Sequence, residues 1–150
     1  MKAIIGIGIP GSGKTTYLKP LAARERLLYV NADDIREEVN GDASDHRRHL
    51  YIMKLFHDRV RQGLAGKGVV LDMTYSRKKD RLQAVRFCRD NGAREVVAYW
   101  FSTPLSVAKA RNAGRSRSVP EPALYAMASR LQHNPPSLEE GYDRIVLIED

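Results

Sequence analysis

The chain has 150 residues, 43% of them apolar, the size of one ordinary domain with a real core. No apolar run approaches the roughly 20 residues that a membrane-spanning helix needs. The lone cysteine, Cys88, cannot pair within the chain, which excludes a disulfide scaffold and leads us to expect a reducing, cytoplasmic setting. A formal charge of +7, from 25 Lys and Arg against 18 Asp and Glu, favours anionic partners such as nucleotides or nucleic acid.

Met1-Lys2-Ala3-Ile4-Ile5 runs straight into a strand pattern, without the charged, apolar and small-residue succession of an export leader. Apolar runs bounded by turn residues predict strands at about 2–8, 27–31, 69–72, 95–101 and 144–148. Helical patterns at about 14–24, 34–40, 46–65, 77–91, 104–113 and 120–133 lie between them. Short, almost wholly apolar strands alternating with helices predict an α/β fold, a five-stranded and mostly parallel sheet covered on both faces. Thr103 before Pro104 reads as a helix N-cap, Asn91-Gly92 as a left-handed stop, and Ser118-Val119-Pro120-Glu121 as a capping box. With no repeat, low-complexity tract or linker, residues 1–150 are expected to form a single domain.

The first strand leads into Gly8-Ile9-Pro10-Gly11-Ser12-Gly13-Lys14-Thr15, which fits G-x-x-x-x-G-K-[ST] in its required strand-to-helix setting. Glycines let backbone N–H groups turn inward around phosphates, and the helix N-terminus behind them adds positive dipole. Lys14 is expected to reach the β and γ oxygens of a nucleoside triphosphate, and Thr15 to ligate magnesium. Val69-Val70-Leu71-Asp72 ends an apolar strand in a carboxylate, a candidate to help hold the metal or its waters; a turn or cap role is the alternative.

Asn31-Ala32-Asp33-Asp34-Ile35-Arg36 follows the second strand, on the carboxyl edge where ligands of such sheets gather. Asp33 is the candidate general base for a hydroxyl acceptor, and Arg36 a candidate to hold an acceptor phosphate. Asp34, with Glu37, is expected to cap the next helix. Lys109 to Arg117 holds four basic residues and no acidic one. Its Gly, Ser and Arg content describes a mobile lid at about 111–119, with Arg111 and Arg115 able to neutralise charge on a moving phosphoryl group. His46, His49 and His57 share one helical pattern, but the neighbouring Arg47 and Arg48 favour an exposed polar face over a metal site. Tyr51, Phe56, Tyr99, Trp100 and Phe101 read as core, Tyr75 as a residue able to face the acceptor, and Cys88 as a small buried apolar group.

The order Gly11-Ser12-Gly13-Lys14-Thr15-Thr16, Asn31-Ala32-Asp33-Asp34-Ile35-Arg36, Asp72-Met73-Thr74, Arg111-Asn112 with Arg115, then Val119-Pro120-Glu121 resembles the 5′-hydroxyl polynucleotide kinase domain of phage and bacterial end-healing enzymes, over almost the whole chain. The resemblance implies a P-loop NTPase fold of adenylate-kinase type. It implies ATP and Mg2+ as cofactors, with Gly11, Ser12, Gly13, Lys14, Thr15, Thr16 and Arg111 at the nucleotide and Thr15 and Asp72 at the metal. Asp33 looks like the base on the 5′-OH, Arg36 the grip on the adjacent phosphate, and Arg115 the stabiliser of the transition state. The implied partners are single-stranded or exposed 5′-OH ends of DNA or RNA. Relatives with a 3′-phosphatase domain carry an Asp-x-Asp motif; this chain has none, so the resemblance implies a kinase alone. A small-molecule kinase of the same fold, acting on a sugar, an antibiotic or a nucleotide, is the first alternative, because P-loop architecture does not choose the acceptor. A nucleotide-binding regulatory module with little turnover is the second.

Overall fold

The computed structural model describes residues 1–149. Five strands, β1 (Lys2–Ile7), β2 (Leu28–Asn31), β3 (Gly68–Asp72), β4 (Glu95–Phe101) and β5 (Arg144–Ile148), form one sheet in the order β2-β3-β1-β4-β5. Every pairing is parallel. The helices are α1 (Lys14–Glu25), α2 (Ala32–Asn40), α3 (His49–Ala65), α4 (Lys78–Asp90), α5 (Leu105–Ala113) and α6 (Glu121–His133). Among the described residues no helix is long and apolar enough to cross a membrane.

Alternation along the strands divides the core in two. Ala3, Ile5 and Ile7 of β1, Val69 and Leu71 of β3, and Val96 and Ala98 of β4 pack with Ile52, Phe56 and Val60 of α3, Val85 and Cys88 of α4, and Leu124 of α6. Their neighbours Ile4, Val70, Val97, Tyr99 and Phe101 face the other way, against Leu18, Leu21 and Ala22 of α1. Both faces of the sheet are therefore covered, which is why the strands read as unbroken apolar runs.

Several local expectations are corrected. The helix expected from residue 46 begins at His49: Arg48 adopts φ +60°, and Asn40 Nδ2 donates to the carbonyls of Asp45 (2.9 Å) and Arg47 (2.8 Å), fixing an irregular loop that holds His46 off the helix. Asn31, not Asp34, caps α2, its side chain accepting from Asp34 N at 3.1 Å. Pro104 and Pro120 take the N-cap positions of α5 and α6, so neither Thr103 nor Ser118 caps a helix. The left-handed stop after α4 falls at Gly92, φ +102°. Phe56, Tyr99 and Phe101 are buried and Trp100 packs partly against the core, whereas Tyr51 is 51% exposed.

Candidate active site

The carboxyl edge of the sheet gathers the P-loop after β1, the start of α2 after β2 and Asp72 at the end of β3. Register makes the meeting close: Asp72 is the pairing partner of Gly6 on one side and of Asn31 on the other. Two glycines shape the P-loop for different reasons. A Cβ on Gly11 would lie 2.3 Å from the Ala108 carbonyl oxygen, so the loop can pass under α5 only without a side chain. A Cβ on Gly13 would meet only the Arg111 guanidinium, at 3.9 Å, but the position needs its φ of +86°, a conformation that costs most L-residues energy. Ser12 Oγ is a buried hydroxyl with no hydrogen-bond partner among the described residues, as a loop awaiting phosphate oxygens leaves it.

Two cavities open from this edge. The first, about 270 Å³, is lined by Gly11, Ser12, Gly13, Lys14, Thr15, Thr16, Arg111 and Arg115. Arg111 Nη1 reaches the Gly11 carbonyl at 3.5 Å. The second, about 550 Å³, has Asp33, Arg36, Asp72 and Arg117 in its wall and shares Lys14, Thr15 and Arg115 with the first. The sequence-derived candidates thus converge on two adjoining spaces that meet at one Lys, one Thr and one Arg.

Thr15 Oγ1 donates to Asp72 Oδ2 at 2.8 Å. Asp72 is 1% exposed, and Tyr29 also donates a short hydrogen bond to the same carboxylate oxygen. Asn31 Nδ2 donates to the Tyr29 hydroxyl at 3.3 Å. Burial, then the Asp72 charge, push the Tyr29 phenol up, so it stays protonated and keeps donating. Two hard oxygen donors beside the P-loop fit a magnesium ion, which takes one or two protein ligands and completes its shell with phosphates and water. Among the described residues no group of three or more His, Cys, Asp or Glu could hold a metal ion by itself.

Lys14 is half-buried, and burial lowers its pKa; Asp72 opposes this, Arg115 lowers it further, and Asp33 opposes weakly. Two cations held near each other in a partly dry space create a potential that an anion relieves. On the opposite wall, Arg36 is buried and donates to Asp33 one helical turn away, with a second bond to the Ala43 carbonyl at 3.4 Å. Asp33 itself is half exposed to the cavity.

For four residues the sequence reading missed the contact that matters at the site. Tyr29 lies two positions before Asn31 on β2 and so shares its face, a period-two signal that was available. Arg117, read only as one of the lid's basic residues, donates to Asp34 at 2.9 Å and to Glu37, tying the segment after α5 to α2. Asn112 clasps Val119 through both backbone groups, at 2.8 and 3.0 Å, closing the base of that segment. Thr103 donates to the Ser12 carbonyl at 3.1 Å and anchors the P-loop to the end of β4. Tyr75 lines a separate cavity, of about 430 Å³, and not the wall shared with Asp33.

Solved structures share this architecture. A chain of the Pnkp1/Rnl/Hen1 RNA repair complex superposes with a TM-score of 0.79 at 23% identity, over 95% of this chain and 46% of that one. A sugar kinase from Janibacter sp. gives 0.66 at 20%, over 99% and 85%. A shikimate kinase from Bacteroides thetaiotaomicron gives 0.60 at 16%, over 95% and 84%. This chain therefore spans about half the length of the repair-complex chain it matches. The fold is that of P-loop kinases of the adenylate and shikimate kinase type, as the motif resemblance implied. Residues 4–134 match the model of the AAA domain family, and the chain belongs to that family.

Proposed function

We propose that this P-loop kinase is an ATP-dependent 5′-hydroxyl polynucleotide kinase, acting on single-stranded or exposed ends of DNA or RNA. One observation carries the reading: a P-loop cavity and a second cavity walled by an Asp–Arg pair meet at Lys14, Thr15 and Arg115. A donor triphosphate in the first and a hydroxyl acceptor in the second would place the γ-phosphorus between them.

In this reading Gly11 to Thr16 cradle the β and γ phosphates, Lys14 follows their oxygens, and Arg111 covers the nucleotide. Thr15 and Asp72 hold magnesium, which when bound neutralises charge on the β and γ oxygens. Asp33 accepts the proton of the 5′-OH as its oxygen bonds to the γ-phosphorus and the bond to the β–γ bridging oxygen breaks, releasing ADP. Arg36 orients that carboxylate and meets the adjacent acceptor phosphate. Arg115 draws charge from the transferring group, while the lid at about 111–119, latched by Arg117, excludes water. One domain performs the whole step, end healing of nucleic acid is the setting it suits, and the cytoplasm is the compartment. Burial pushes the Cys88 thiol up to about 12, leaving it inert.

A small-molecule kinase is the second reading, favoured by the near-complete mutual coverage with the sugar and shikimate kinases. A competition assay separates the two: labelled γ-phosphate from ATP is offered to a 5′-OH oligonucleotide, its 5′-phosphorylated twin, and a panel of sugars, polyols and nucleosides together. Label on the 5′-OH oligonucleotide alone supports the first reading. Label on a small molecule with none on the oligonucleotide overturns it.

A further inference from the structure

We infer that the cavity between α3, α4 and α6 receives the terminal nucleobase of the acceptor strand, an assignment that rests on the polynucleotide reading above. At about 430 Å³ it lies within the size range of small-molecule sites. It adjoins the acceptor cavity, with Met73 and Thr74 in the walls of both. A strand whose 5′-OH points at Asp33 thus has a neighbouring space for the base attached to the same sugar.

The chemistry of the walls suits a heterocycle. Met53 and Phe56 of α3, Phe87 of α4 and Met127 of α6 supply aromatic and thioether surface. His57 packs on Phe87 with ring centroids 4.6 Å apart, the Arg61 guanidinium lies 5.0 Å from the Phe87 ring centroid, and burial lowers the His57 pKa. Bases stack on such surfaces without regard to identity, and methionines adapt to different outlines. Asp80 and Gln83, both exposed on α4, offer an acceptor and a donor–acceptor amide to a base edge. Arg77 and Arg130 also line the cavity and offer positive charge to phosphates further along the strand. A base in this groove has left its stack, so the groove selects single-stranded or frayed ends and tolerates all bases.

Photo-crosslinking tests this without any transfer step. A 5′-OH oligonucleotide bearing 4-thiouridine at its terminal position is irradiated with the protein in the absence of ATP, and the adduct is mapped by peptide mass. Adducts within residues 49–57, 73–87 or 127–130, competed by unlabelled 5′-OH oligonucleotide, support the groove; adducts elsewhere, or none, overturn it. Transfer kinetics give a second readout: replacing the terminal base by an abasic residue should raise the acceptor KM by about tenfold or more, as the loss of one stacked base implies. Phe87→Ala should do the same for base-bearing ends only. Gln83→Ala, at an exposed position that leaves the fold intact, should raise KM by about threefold, the loss expected of one uncharged hydrogen bond. Equal KM values for abasic and base-bearing ends would overturn the groove while leaving the kinase reading in place. Failure of the kinase reading would instead appear as no transfer to any oligonucleotide, whatever the crosslinks show.

Discussion

Asp33 and Arg36 sit one turn apart on α2, and the buried guanidinium fixes a carboxylate that remains half exposed to the acceptor cavity. Asp33→Asn keeps the shape and the hydrogen bond but cannot take a proton, so kcat should fall by about 10²–10⁴ with ATP affinity unchanged, measured by steady-state transfer and calorimetry. Wild-type turnover would leave Asp33 as a structural partner of Arg36. Tyr29 acts differently: it lines neither cavity, and its hydroxyl donates to Asp72 and lies 3.5 Å from Thr15 Oγ1, the two groups placed at the metal. Tyr29→Phe frees an oxygen of a buried carboxylate from a charge-assisted bond worth about 1.5–3 kcal/mol. The Mg2+ needed for half-maximal ATP binding should rise by about tenfold as Asp72 loses its orientation, by the outer-shell precedent for metal sites. An unchanged requirement, followed by calorimetry with Mg2+ and a non-hydrolysable ATP analogue, would refute this positioning role.

At the level of elements, the lid is held at both ends. Asn112 clasps Val119 at its base, and Arg117 bridges to Asp34 and Glu37 of α2 across the acceptor cavity. About a third of the Arg117 side chain is exposed, so the bridge stabilises the fold by no more than roughly 1 kcal/mol. It is strong enough to bias a loop and weak enough to open. Arg117→Ala should therefore speed amide exchange across residues 114–118 several-fold and raise ATP hydrolysis without acceptor, while global stability stays within about 1 kcal/mol. Exchange and hydrolysis rates equal to wild type would mean that Arg117 does not latch the segment. The elements themselves were legible because both sheet faces are buried, and continuous apolar runs ending in Asn31, Asp72 and the P-loop glycines mark the strands and their functional edge. The caps were less so. Asn31 reads equally well as a strand end, and nothing in residues 46–48 announces the left-handed turn at Arg48, which is set by the Asn40 amide several positions away. The Tyr29–Asp72 bond and the Arg117 bridge join distant segments: spacing places Tyr29 on the face of Asn31, but it does not name the partner of either side chain.

Across the whole molecule, a second buried network supports the edge on which the site is built. Arg81 is fully buried and donates to both carboxylate oxygens of Glu140, to the carbonyls of Tyr75 and Ser76, and to that of Asn134. Tyr142 donates to Glu140 as well. The turn it clamps holds Tyr75 at φ +50°, an unfavourable value for a bulky residue, and passes the Thr74 carbonyl to Gly8 N of the P-loop at 3.1 Å. Arg81→Met strands a buried carboxylate and should cost about 3–5 kcal/mol, lowering Tm by roughly 10 °C for a domain of this size. Pairing it with Glu140→Gln should restore part of the loss. A thermal unfolding curve within 2 °C of wild type would show that the clamp is dispensable.

The two cavities join at Arg115, which lines both and is close enough to Lys14 to lower its pKa. Single-turnover transfer by Arg115→Ala, measured beside its ATP affinity, is the most direct test of that junction. The rate of the chemical step should fall by about 10³ or more while ATP binding changes by no more than a few-fold, because the arginine acts on the moving phosphoryl group. An unchanged rate would contradict phosphoryl transfer at the junction of Lys14, Thr15 and Arg115.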